Sequence, residues 1–137
     1  MKELDAFIDA RRDQDFAYFE RDCATLAADW VQLRTGADPL ASLRLDGGPL
    51  ASRRLLTALR HVRAHGGLHA AAVELLGPAL PGLMACRGDI VLMRSGGRLG
   101  LVSGHAFGIC TGQNLVAPGK DRLTFLGLTA GVAAWRV

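Results

Sequence analysis

The stretch Asp22-Cys23-Ala24-Thr25-Leu26-Ala27-Ala28-Asp29-Trp30 decides how the rest of the chain is read. Cys23, Leu26, Ala27, Trp30 and Val31 fall at i, i+3, i+4, i+7 and i+8, which is one continuous apolar stripe of a helix. Asp22 is of the residue type that caps a helix N-terminus, and Gly36 of the type that ends one. With Pro39 close behind, the spacing predicts a helix from Cys23 to Thr35. Its first turn carries a cysteine. There a thiol feels the positive end of the helix macrodipole and free N–H groups, which favour the reactive thiolate. The competing reading is that Cys23 is a small apolar residue at the end of a core stripe.

Upstream, Leu4, Phe7, Ile8 and Arg11 recur at helical spacing, and the pattern predicts a helix from Lys2 to Phe19, with Phe16 and Phe19 anchoring it to the core. Downstream, residues 40–49 read as a loop ending in Asp46-Gly47-Gly48-Pro49. Leu55, Leu56, Leu59 and Val62 stripe a helix expected over Leu50 to His65, stopped by Gly66-Gly67. A shorter helix, Leu68 to Leu76, closes at Gly77-Pro78. After Pro81-Gly82 the period changes. Strands are expected at Asp89–Met93, Leu99–Ser103, Ala106–Thr111, Leu115–Ala117 and Leu123–Leu126, with a hairpin turn at Ser95-Gly96-Gly97. A helical turn and an edge strand through Trp135 end the chain. Helices first and a strand meander second predict an α+β fold, with N-terminal helices packed on a C-terminal antiparallel sheet. One domain over residues 1–137 is expected, its helical half at 1–80 and its strand half at 86–137.

The chain is long enough for one core without staples, and half its residues are apolar, which excludes disorder. Net charge is only +3 and the basic residues are scattered, so no nucleic-acid partner is expected. No apolar run reaches membrane-spanning length. Met1-Lys2-Glu3-Leu4-Asp5 lacks the apolar centre of a signal peptide, and a cytoplasmic site of synthesis follows as an expectation. Cys23, Cys86 and Cys110 are odd in number and widely spaced, which argues against both a disulfide framework and a zinc site.

The order of signals extends beyond the cysteine. Gly88-Asp89-Ile90-Val91-Leu92 opens a strand, and Gly108-Ile109-Cys110-Thr111-Gly112 lies on a later one. This order resembles the NlpC-type, papain-like cell-wall cysteine peptidases, across roughly Phe19 to Pro118. The sequence is still more similar to small phage and prophage proteins of a reduced form of that fold. The shared segments are Asp22 to Asp29, Gly88 to Leu92, the Ala-X-Gly-Ile-Cys strand, Ala117-Pro118-Gly119 and the Ala134-Trp135-Arg136-Val137 end. The resemblance implies Cys23 as nucleophile and a histidine two residues before Gly108 as base. Here that position is Ala106, and the histidine, His105, lies one residue earlier. A one-residue slip turns a strand side chain to the other face, unless a bulge near Gly104 restores its aim. Cys23 and His105 are therefore the candidate catalytic pair of a degenerate site. Gln113 and Asn114 lie near in sequence, in an expected turn, and neither is assigned as a third member.

His61, His65 and His69 are spaced by four, but they continue a polar face, Gly66-Gly67 interrupts them, and no acid sits at matching spacing. Neither a metal nor a cofactor is expected. The Gly-Gly pairs lack the lysine and strand-to-helix context of a phosphate loop and read as turns.

The resemblance thus implies a structural or adaptor component of a phage-type tail tip or baseplate, assembled into a virion beside other tail proteins in a symmetric ring. The alternative it implies is an active cysteine hydrolase that contacts peptidoglycan and cuts its stem peptides.

Overall fold

The computed structural model describes residues 2–45, 47–94 and 104–137. The expected turn at 95–97 and strand at 99–103 lie outside them. Five helices come first: α1 (Lys2–Arg11), α2 (Cys23–Thr35), a short α3 (Ala41–Arg44), α4 (Leu55–Ala64) and α5 (Leu68–Leu76). The strands are β1 (Leu80–Pro81), β2 (Ile90–Arg94), β3 (His105–Cys110), β4 (Leu115–Pro118), β5 (Leu123–Leu126) and β6 (Gly131–Trp135). They form one antiparallel sheet in the order β1-β6-β2-β3-β4-β5. The fold is α+β, as the order of periods requires.

Helix α2 is built as its sequence dictates. The Asp22 carboxylate accepts the Thr25 N–H at its N-terminus, and Gly36, at φ 82, closes its C-terminus with its N–H on the Gln32 carbonyl. Its inner face, Leu26, Ala27, Trp30 and Val31, joins Leu4, Phe7 and Ile8 of α1 on the sheet. Trp30 is fully buried, and its indole N–H donates to the Gly88 carbonyl at 2.7 Å. That bond ties the helix to the turn that opens β2. The turn itself is held by the buried Asp89 carboxylate, which accepts the Cys86 N–H at 2.8 Å.

Both faces of the sheet are apolar. Ile90, Leu92, Ile109, Val116, Ala133 and Trp135 face the helices, while Val91, Met93, Ala106, Cys110, Leu115, Ala117 and Ala134 form a second buried cluster. This explains why β2 reads as an unbroken apolar run rather than an alternation.

Four expectations are corrected. The first helix ends at Arg11, not Phe19: Phe16 donates its N–H to the Lys120 carbonyl, and Phe19 takes φ 67, which no helix accommodates. The helix expected from Leu50 begins at Leu55, because Arg53 adopts φ 53. The expected loop at 40–49 contains α3. Finally, β6 is not an edge strand but lies between β1 and β2; the two-residue β1, Leu80 with Ala134 and Pro81 with Ala133, covers it. Gly82 and Gly131 then bring backbones together so closely that a Cβ on Gly82 would collide with the Gly131 carbonyl.

Candidate functional site: a thiol at the floor of an apolar cavity

The N-terminus of α2 meets β3 where β4 has left it. Strand β4 pairs with β3 only through Ile109 and Cys110, so the Phe107 end of that edge is left to Cys23. The Phe107 N–H acts on the Cys23 thiol together with the N–H groups of Ala24 and Cys23 itself, and all three favour the thiolate. They do not prevail. Burial is the largest influence and the Asp22 carboxylate adds to it, pushing the thiol up from 9.0 to about 11. The helix terminus that activates an exposed cysteine is here outweighed by loss of water.

The strand alternation places Ala106, the position where the resemblance expects a base, in the second buried cluster at 0% exposure. His105 lies on the other side, with Phe107 and Ile109. The one-residue displacement therefore does change the face. Because Cys23 sits beside β3 at Phe107, however, Cys23 and His105 still line one cavity. Among the described residues the β2–β3 register runs evenly from Ile90 with Ile109 to Arg94 with His105, and a register shift falls between Leu92 and Met93 against β6.

That cavity is the feature the sequence reading missed. It has a volume of about 400 Å³, and its walls are chiefly apolar: Phe16 and Phe19 after α1, Leu43 of α3, Leu55, Leu59 and Val62 of α4 and Leu75 of α5. Helix α4 has a clear apolar stripe, legible in the sequence, yet no fully buried residue, which only the structure shows. A stripe without a buried partner borders open space. His61 also lines the cavity, which corrects its assignment to the solvent face. Burial, then the nearby His65, hold the His61 imidazole below its ordinary range, against Glu74. The His65 ring lies 4.3 Å from that of His61, and its Nδ1 is 2.7 Å from Glu74, an acid the spacing did not reveal. Among the described residues, no three His, Cys, Asp or Glu side chains are grouped to hold a metal. Thr111 and Asn114 bond each other in the turn after β3, at 2.6 Å, in keeping with a turn.

The other cysteines differ sharply. Cys110 is buried in the second cluster, whereas Cys86 is exposed with the Arg136 guanidinium 3.6 Å from its sulfur. No helix among the described residues is long and apolar enough to cross a membrane.

Fold and site together define a small α+β domain whose first-turn cysteine abuts a strand edge beneath an apolar cavity. The chain belongs to the family described as "Domain of unknown function (DUF6950)", whose model matches residues 1–137. No curated protein and no solved structure matches the chain.

Proposed function

We propose that this chain is a structural or adaptor component of a phage-type tail tip or baseplate, built on a papain-like domain whose cysteine is no longer a nucleophile. The observation that carries the loss of catalysis is geometric: the strand position where the resemblance expects the base is Ala106, fully buried in the second cluster, and burial with the Asp22 charge pushes the half-buried Cys23 thiol up as well. At neutral pH a thiol raised in this way is almost wholly protonated. A working cysteine hydrolase needs a far larger thiolate fraction, or a base in contact. The assembly role rests on the shared segments, above all Ala117-Pro118-Gly119 and Ala134 to Val137.

A hydrolase acting on peptidoglycan stem peptides is the second reading, favoured by one observation: His105 and Cys23 line the same cavity. In that reading Cys23 attacks the amide carbonyl, His105 takes the thiol proton, and the N–H groups at the α2 terminus hold the oxyanion.

Two measurements separate these. Mass spectrometry of purified tailed particles from cells that make this chain should find it at fixed stoichiometry with the other tail proteins; its absence from the particles overturns the structural reading. Incubation of the pure protein with peptidoglycan should release no cleaved stem peptides. Release that disappears in Cys23→Ala would establish the hydrolase instead.

A further inference from the structure

We infer that the cavity above Cys23 is a binding site for a medium-length aliphatic carboxylate, with its chain among the leucines and its head at the Arg53 rim. The inference goes beyond the assembly role and does not depend on it.

Size and lining come first. A void of about 400 Å³ walled by leucine, valine and phenylalanine is within the range of small-molecule sites. An apolar void in that range suits an alkyl chain of medium length. Apolar walls of this kind gain nothing from water, which finds few partners there.

Charge then selects the head group. The cationic or protonatable side chains on the lining are Arg44, Arg53, His61 and His105. The acid on it is Asp22, whose two carboxylate oxygens already accept the N–H groups of Thr25 and Phe19 at 2.8 Å each. Both arginines already face a carboxylate and the His61 imidazole is held below its ordinary range, so the cation a ligand carboxylate reaches most readily is Arg53, whose partner Glu20 is exposed.

Backbone strain marks the same rim. Among the described residues, Phe19 and Arg53 are the non-glycine residues with positive φ, at 67 and 53, and both line the cavity. Such conformations persist where the surroundings hold them, and they concentrate at ligand clamps. Glu20, next to Phe19, bridges to Arg53 at 3.1 Å, and both side chains are more than half exposed. An exposed pair of this kind is weak, so a ligand carboxylate can take the place of Glu20 at modest cost. Arg44 is bound to Asp38 at 2.6 Å and is the less available of the two arginines.

The test is calorimetric titration of the full chain with decanoate and with decanol. Saturable one-to-one binding of decanoate is expected, at least fivefold tighter than decanol. Arg53→Gln should remove that preference and leave decanol unchanged. Leu59→Trp, which fills the void, should weaken both at least tenfold; Ala58→Leu is a milder filler that should act in the same direction if the tryptophan variant does not fold. Bound decanoate should also slow disulfide-reagent modification of Cys23 and leave exposed Cys86 unaffected. No saturable binding by the folded protein overturns the site. So does binding that neither filler weakens. Equal affinity for acid and alcohol overturns the carboxylate assignment, and tighter binding of an apolar peptide than of decanoate reassigns the cavity to a protein segment. None of these outcomes bears on whether the chain is found in tail particles.

Discussion

The indole of Trp30 and the carbonyl of Gly88, 58 residues apart, meet in a 2.7 Å hydrogen bond inside the core. The bond fixes α2 on the turn that starts β2, and so fixes the height at which Cys23 meets β3. Trp30→Phe keeps most of the apolar contact but leaves the Gly88 carbonyl without that donor. A loss of about 1–3 kcal/mol in urea unfolding is expected. An unchanged midpoint would show that the bond contributes nothing.

Asp22 serves two N–H groups at once, Thr25 in α2 and Phe19 in the strained turn before it. Asp22→Ala should cost about 1–2 kcal/mol, and Asp22→Asn distinctly less, since the amide oxygen still caps. Removing the carboxylate also removes a charge that opposes the thiolate, so the Cys23 pKa should fall in both variants. Thiol titration by ultraviolet absorbance reads that shift, and a rise would contradict it.

Alkylation of the folded protein should proceed at Cys86 first, since that side chain is exposed. The Cys23 rate should climb only toward a midpoint near about 11. The sign for stability follows. The folded-state pKa is raised above the ordinary 9.0, so the contribution is complete below about pH 9 and is lost as pH rises toward about 11. Cys110, raised mainly by burial, acts in the same direction. Denaturation midpoints measured from pH 8 to pH 11 should therefore fall. Cys23→Ala should flatten part of that fall.

Gly108 has no room for a side chain. A Cβ there would meet the methyl end of Met93 and stand 2.5 Å from the Val116 carbonyl oxygen. Met93 is flexible, but the β4 backbone is not. Gly108→Ala should destabilise by about 1–3 kcal/mol through strand displacement. A neutral result would mean that β3 and β4 separate easily.

Arg53 takes φ 53, and its side chain makes an exposed ion pair with Glu20. Arg53→Gly relieves the backbone and loses a pair that contributes only about 0–1 kcal/mol. The variant should be as stable as the parent or more so, by thermal melting. A clear loss would show that the rim depends on the guanidinium.

The helical half was legible where the signals were local. Asp22, the stripe from Cys23 to Val31 and Gly36 give α2 its limits without reference to anything distant. The same holds for α5, bounded by Gly67 and Gly77. The reading failed where conformation was set from elsewhere. Phe16 is drawn from a helix by the Lys120 carbonyl, and β6 is moved off the edge by two residues of β1. Neither partner is adjacent in sequence.

The sequence by itself determined the α+β order, the caps of α2 and the presence of a first-turn cysteine, because helix periodicity and capping are short-range physics. Only the tertiary structure decided what that cysteine can be. The same side chain is favoured as thiolate by N–H groups of its own helix terminus and of Phe107 on β3, and the loss of water, with the Asp22 charge added, outweighs them. The cavity itself belongs to no segment. It exists because α3, α4 and α5 cross above β3 without filling the space between, and no pattern within one helix records the distance to another.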